Sequence, residues 1–147
     1  MRRRANITWL SGPPGGSGRA RVDSHAFTEL PISAPGEAAP HDGQATPGEL
    51  LAAAIGAIYL EALSQILLRD GTPARELVVD VDVDFNFEEP GHRLTEVSVA
   101  VHGRVPAIEP EGFERAAEAA LRSSRHLVGV EDRIPTRLSA TLQAPTR

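Results

Sequence analysis

Residues 46–64 decide the fold of this chain, and they read T-P-G-E-L-L-A-A-A-I-G-A-I-Y-L-E-A-L-S. Thr46 is a favoured residue for an N-cap, and Pro47 suits the first position of a helix. Glu49 follows Thr46 by three residues, which is the spacing of a capping box. The stretch therefore predicts a helix that begins immediately after Thr46.

The predicted helix runs to about Asp70 and stops at Gly71, a residue typical of helix ends. Its first half, from Leu50 to Leu60, is apolar on every side. A helix that is apolar on every side is expected to be buried on every side. One sheet of so small a protein cannot cover it, so a second helix or a second subunit must complete the cover.

The remainder of the chain predicts strands and one further helix around this central helix. The predicted elements are strands at 7–10, 19–22 and 26–32, a hairpin of 77–87 and 94–105, a helix at 110–123 and a last strand at 137–142. Residues 12–18 and 89–92 read as turns, and residues 35–46 as an irregular loop. We therefore expect an α+β fold with antiparallel sheets, formed as a single domain over residues 1–147.

The strand at 77–87 carries aspartates at alternate positions, Asp80, Asp82 and Asp84. Their spacing is similar to that of a calcium loop, but the residues between them are apolar and demand a strand. The glycine and glutamate that a calcium loop needs are missing at the required positions. The aspartates therefore predict the outer face of a half-buried strand, and no metal is expected.

Composition narrows the classes of function. The 147 residues carry a net charge of −5, with a pI near 5.5, which argues against nucleic acid as a partner. There are no cysteines, so the chain has no thiol nucleophile and no disulfide. The apolar stretch at 50–60 is too short to span a membrane and no signal peptide is evident, so we expect a cytoplasmic protein without a cofactor.

Several stretches resemble the OsmC/Ohr family of cysteine-based hydroperoxide reductases. The stretch at 46–64 resembles the Thr-Asn-Pro-Glu-Glu/Gln-Leu motif and alanine-rich helix of that family, with its Ala-Leu-Ser at 62–64. Residues 105–113, V-P-A-I-E-P-E-G-F, are similar to the family's Val-Pro-Gly-Ile-Asp-x-x-x-Phe, and 116–121 match its second helix. The resemblance covers about 7–142 and implies the OsmC-like fold, in which two chains form an intertwined homodimer.

The chain departs from the family where the chemistry lies. The peroxide-reacting cysteine corresponds to Ile58, and the resolving cysteine to Ser124. The glutamate of the Thr-Asn-Pro-Glu motif corresponds to Gly48, and neither Arg19 nor Arg21 aligns with the family's arginine. A peroxidatic sulfur must be a thiolate, and its disulfide needs two sulfurs. We therefore expect that the chain has lost thiol peroxidase chemistry.

The resemblance also implies a pocket at the dimer interface, walled by both subunits, with the replaced cysteine positions in it. Helical spacing and the resemblance together predict the residues that line this pocket and contact the substrate. They are Leu51, Ile55, Ile58, Tyr59, Gln65 and Ser124. The alternatives for Tyr59 are a packing role in the core or at the interface, which we favour, and a role as proton donor.

Two residues are candidate catalytic groups. Glu61 lies about one turn beyond Ile58, and a carboxyl group in an apolar pocket can act as a general acid or base. His126 follows Ser124 closely. The alternatives are that Glu61 belongs to a solvated stripe with Gln65 and that His126 is a surface histidine.

Three classes of function fit this sequence. The first is non-redox acid/base catalysis on a small apolar substrate by an isomerase, cyclase or hydro-lyase. The second is a non-catalytic protein that binds a small apolar ligand. The third is a residual hydroperoxide-stress protein without activity. Burial of Glu61 discriminates among them, because a shielded carboxyl facing a cavity favours catalysis, whereas an exposed one favours the second or the third class.

Overall fold

A computed structural model describes residues 1–10, 17–33, 43–88, 91–128 and 133–144, without the side chains of 87, 88, 92 and 126–128. The elements in chain order are β1 (Ala5–Leu10), β2 (Ser17–Val22), β3 (Leu30–Ser33), α1 (Pro47–Arg69), β4 (Glu76–Glu88), β5 (Gly91–Arg104), α2 (Pro110–Val128) and β6 (Thr136–Leu142). The predicted order of elements is confirmed, and α2 is longer than expected. The turn at 12–18 and the loop at 35–46 lie largely outside the described residues, as does half of the turn at 89–92.

The chain divides into two compact units, Met1–Leu51 and Ala52–Arg147. In the first unit, β1, β2 and β3 form an antiparallel sheet in that order. The strand predicted from residue 26 begins only at Leu30, because a turn precedes it. In this turn the His25 N–H donates to the Val22 carbonyl at 3.0 Å, and His25 has a φ of 59°.

Gly18 of β2 faces Trp9 of β1 in this sheet. A Cβ atom at Gly18 would lie 2.6 Å from the Trp9 ring, which is closer than carbon atoms can approach. The glycine therefore lets the indole lie flat on the neighbouring strand, the arrangement in which an aromatic side chain covers a strand glycine.

In the second unit, β4, β5 and β6 form a sheet in that order. β4 pairs antiparallel with β5, as a hairpin requires, but β6 runs parallel to β5. This sheet is therefore mixed, and the parallel β6 departs from the antiparallel sheets that the sequence led us to expect. The physical reason is α2. This helix connects β5 to β6 and returns the chain to the end of the sheet at which β5 starts, so that β6 runs in the same direction as β5.

One face of this sheet is apolar across all three strands. Val79 lies opposite Val101 and Val81 opposite Val99, and Leu138 of β6 continues the second of these rows. The opposite face of the sheet carries the aspartates of β4, which are exposed as the alternation predicts. The apolar face forms the sheet side of the core of this unit.

Both helices pack on that apolar face through glycines. A Cβ at Gly56 of α1 would lie 3.3 Å from Val79 and from Val81, so the helix backbone approaches β4 closely. Gly103 of β5 receives the ring of Phe113 from α2 in the same way, and Phe113 is fully buried. The two contacts fix where α1 and α2 lie on the sheet.

The ends of α1 follow the sequence prediction. The Thr46 N–H donates to the Glu49 carboxylate at 2.6 Å, and the Glu49 N–H donates to the Thr46 hydroxyl at 3.2 Å. These hydrogen bonds hold the pKa of Glu49 below its ordinary value. At the other end Gly71 has a φ of 76°, the left-handed conformation typical of a helix stop. The capping box and the helix end are confirmed.

The burial of α1 differs from the expectation. Its buried residues form one stripe with the helical spacing of four, namely Ile55, Gly56, Tyr59, Leu63 and Leu67. Ala53, Ala54 and Ala57 are exposed, so within one chain the helix is not buried on every side. The sheet and α2 cover one stripe, and an apolar face of the helix stays uncovered.

Candidate functional site

The uncovered face of α1 contains the central position of the predicted site. We define the α1 face as Ala54, Ala57, Ile58 and Glu61, which follow one another at intervals of three, one and three residues and so share one side of the helix. Ile58 is half-buried and the other three are exposed. The structure thus brings the predicted catalytic Glu61 next to Ile58, the residue to which the resemblance assigns the reactive cysteine.

Glu61 lies at the polar end of the α1 face. Gln65 and Arg69 follow it at helical spacing, and both are exposed like Glu61. Arg69 pairs with Asp70 at 3.3 Å. This arrangement agrees with the solvated stripe that the sequence offered as the alternative, and it places Glu61 at the boundary between that stripe and the apolar part of the helix.

Two predicted pocket residues lie instead in the core. Ile55 is 5% exposed and Tyr59 is fully buried. The Tyr59 hydroxyl donates to the Ala117 carbonyl of α2 at 3.2 Å, so this side chain joins the two helices. Helical spacing places Ile55 beside Ile58, but it does not show which of the two residues faces the sheet.

Tyr59 gives the protein a defined response to alkaline pH. Burial raises the pKa of its phenol well above the ordinary value of 10.0. The unfolded chain ionises near that value while the folded chain stays neutral, so stability is complete below about pH 10 and falls above it by about 1.4 kcal/mol per pH unit. All 15 basic residues are arginines and there are no cysteines, so Tyr59 is the only side chain that titrates there. Chemical denaturation between pH 8 and 11 should show this loss.

Tyr59→Phe is the control for that titration. It removes the ionisable group and one buried hydrogen bond, so it should cost about 1 kcal/mol at pH 8. Its stability should then stay flat up to pH 11. An equal alkaline loss in both proteins would show that the phenol ionises as readily in the folded chain as in the unfolded one.

The remaining predicted residues are Ser124, Leu51 and His126. Ser124 of α2 is buried, and its hydroxyl donates to the Leu121 carbonyl of the same helix at 3.1 Å. Leu51 is half-buried and belongs to the first unit. His126 lies in α2, but its side chain is outside the described residues. The site roles predicted for these residues stay predictions.

No group of three metal-binding side chains occurs within the described ranges. The aspartates of β4 are exposed on the outer face of the sheet, where Glu96 of the next strand pairs with Arg137 at 3.0 Å. Their carboxylates therefore stand in a row on a solvated face, as the strand alternation predicts.

A cleft in the first unit was not identified from the sequence. It has a volume of about 650 Å³ and lies on one face of the sheet. Its lining residues come from β1, β2 and the turn before β3, namely Asn6, Thr8, Leu10, Ser17, Gly18, Arg19, Ala20, Arg21, Thr28 and Glu29. Its signal in the sequence is the alternation of polar residues, Asn6 and Thr8 along β1 and Arg19 and Arg21 along β2.

Comparison with known proteins decides the family. The model of the OsmC-like protein family matches residues 40–133. The chain belongs to the OsmC-like family. No curated protein matches the chain, but solved structures of family members share its fold.

Three of these structures illustrate the similarity. An organic hydroperoxide resistance protein from Elizabethkingia anophelis has a TM-score of 0.75 and 21% identity, covering 97% of this chain and 99% of its own. OhrB of Bacillus subtilis has a TM-score of 0.71 and 18% identity, covering 94% and 98%. A putative organic hydroperoxide resistance protein from Vibrio cholerae, with captopril bound in one of its active sites, has a TM-score of 0.68 and 21% identity, covering 93% and 90%. The resemblance seen in the sequence and the OsmC-like fold are thus confirmed.

The OsmC-like chain has one described helix, α1, that is long and apolar enough to cross a membrane. It extends over 23 residues, further than the apolar stretch at 50–60 suggested. This is weak evidence for a membrane span, because the core helix of a soluble protein passes the same test. The buried stripe of α1 is what such a core helix needs, and the cytoplasmic location stays a prediction.

Proposed function

We propose that this OsmC-like protein binds a small apolar molecule against the α1 face and does so without thiol chemistry. One observation carries the proposal: Ile58, to which the resemblance assigns the family's peroxide-reacting cysteine, lies on a helix face that the chain leaves uncovered. The neighbouring Ala54 and Ala57 are small and exposed, so a ligand can approach the helix closely there. An apolar surface with one polar group at its edge is typical of small-molecule sites.

The exposure of Glu61 favours binding over catalysis. A general acid or base works best where water is excluded from it, and within one chain this carboxylate lies in solvent. We therefore assign Glu61 to the rim of the site, where it orients the ligand. The relative from Vibrio cholerae, which holds captopril in one of its active sites, supports the proposal that a pocket of this fold accepts small organic molecules.

A second copy of the chain completes the site in this proposal. Ala53, Ala54 and Ala57 are exposed, and Leu68 further along the same helix is 61% exposed. Covering apolar surface contributes roughly 25 cal/mol per Å², so pairing two such helices stabilises a dimer. The small alanine side chains allow close approach of the two helices.

Ala57→Arg tests the dimer. The exposed position accepts an arginine in one folded chain, but two guanidinium groups would meet in an interface between two copies. We expect sedimentation velocity at micromolar concentration to show a dimer for the parent protein and a folded monomer for the variant. Glu118→Arg, on an exposed position of α2, is the matched control and should stay dimeric. A parent protein that sediments as a folded monomer would refute the dimer.

Binding is measured with N-phenyl-1-naphthylamine, a neutral apolar probe whose fluorescence rises when it leaves water. We expect saturable binding by the parent protein and at least about tenfold weaker binding by Ile58→Asp, because a carboxylate in an apolar site must be desolvated. Thr141→Asp, an exposed change on β6 outside the α1 surface proposed for pairing, is the control and should bind the probe as the parent does. Equal binding by Ile58→Asp would exclude the α1 face as the site.

Acid/base catalysis is the second candidate, because Glu61 lies one turn after Ile58 on the same face. Cyclohexanone is a suitable probe, since a general base next to its carbonyl exchanges its α-protons with solvent deuterium. Proton NMR in D₂O should show faster exchange with the parent protein than with Glu61→Gln. Equal rates would leave binding as the function of this face.

A further inference from the structure

We propose that the cleft of the first unit is a second binding site, specific for a small carboxylate with a short apolar tail. The proposal does not depend on the function assigned to the α1 face. The cleft volume of about 650 Å³ lies in the range of small-molecule sites. The chemistry of its lining residues identifies the ligand class.

The strand register orders the lining residues from one end of the cleft to the other. Across β1 and β2, Asn6 pairs with Arg21, Thr8 with Arg19, and Leu10 with Ser17. Alternate residues of a strand are about 7 Å apart and point to the same face. The cleft is therefore cationic and rich in hydrogen-bond donors at the Arg21 end and apolar at the Leu10 end.

Charge pairing leaves one cation for the ligand. Arg19 binds Glu29 at 3.3 Å, and both belong to the cleft lining. Among the residues that the structure describes, no ion pair involves Arg21. The lining thus has two arginines against one glutamate, which leaves one positive charge in a chain whose net charge is −5.

A monovalent carboxylate fits this arrangement. The planar guanidinium of Arg21 can donate two parallel hydrogen bonds to a carboxylate. The amide of Asn6, opposite Arg21 in the register, supplies a further donor, and Leu10 two rows away contacts an apolar tail. A divalent anion is a poorer match, because Glu29 neutralises the second arginine.

The test is a titration of the whole protein with hexanoate at constant ionic strength, followed by amide NMR shifts. We expect saturable shifts at Asn6, Thr8 and Arg21. Arg21→Gln should weaken binding at least about threefold, the size expected for losing an exposed ion pair. Glu29→Gln should strengthen binding, because it releases Arg19. Arg137→Gln, an exposed change in the second unit, should bind hexanoate as the parent does.

Four results would overturn the proposal. The first is that hexanoate causes no saturable shifts, and the second is that Arg21→Gln or Glu29→Gln binds hexanoate with the affinity of the parent. The third and fourth are that 1-hexanol or inorganic phosphate binds the parent protein as tightly as hexanoate does. The alcohol separates a carboxylate site from a merely apolar patch. Phosphate separates it from a general cationic surface. Both arginines are exposed, so the variants keep the fold and the titrations remain interpretable.

Discussion

Gly103→Ala should destabilise the protein by about 3 kcal/mol, which corresponds to a fall of roughly 10 °C in Tm. The added Cβ would lie 2.5 and 2.6 Å from two ring atoms of Phe113. Both residues are buried, so neither the strand nor the ring can move aside without disturbing the core. Thermal and chemical unfolding measure the change.

Gly91→Ala is the matched control in the same strand. Nothing lies within 4 Å of a Cβ built at Gly91, so this change should alter stability by less than about 0.5 kcal/mol. Phe113→Leu, combined with Gly103→Ala, should recover part of the loss, because the smaller side chain leaves room for the methyl group. A Gly103→Ala protein as stable as its parent would show that α2 does not seat its ring against β5.

The second large effect concerns hydroperoxides. We expect the purified protein to reduce organic hydroperoxide with a dithiol at no more than the rate of the uncatalysed reaction. The chain contains no cysteine, so it can form neither the thiolate that attacks the peroxide nor the disulfide that a dithiol reduces. A peroxide-consumption assay with OhrB of Bacillus subtilis in parallel measures the difference. Turnover comparable to that protein would mean that another group carries the reaction.

The capped central helix illustrates what short-range chemistry can predict. Thr46, Glu49 and Gly71 set the ends of α1 through local hydrogen bonds and a local backbone conformation, so the helix bounds follow from the sequence. The alternation of β4 is equally local and gave its buried and exposed faces. The family resemblance depended on the same stretches and is confirmed by the match to residues 40–133.

The direction of β6 could not be read in the same way. Its residues alternate identically whether it runs parallel or antiparallel to β5, and only the path of α2 selects one. The side of α1 that is buried could not be predicted from the sequence either. Ile55 and Ile58 are both apolar, and the packing of Gly56 against Val79 decides that Ile55 faces the core.

For the candidate sites too, some features follow from the sequence and others only from the tertiary structure. Local pattern and resemblance determined the fold class and the central helix, because each depends on residues close in sequence, and the resemblance assigned the position of the reactive cysteine to Ile58. Tertiary structure decided that Tyr59 is a core residue bonded to α2, that Glu61 lies in solvent at the edge of an apolar face, and that Arg21 shares a cleft with Asn6. These outcomes depend on which distant elements pack together, and the free energy of that packing is not contained in any single stretch of the chain.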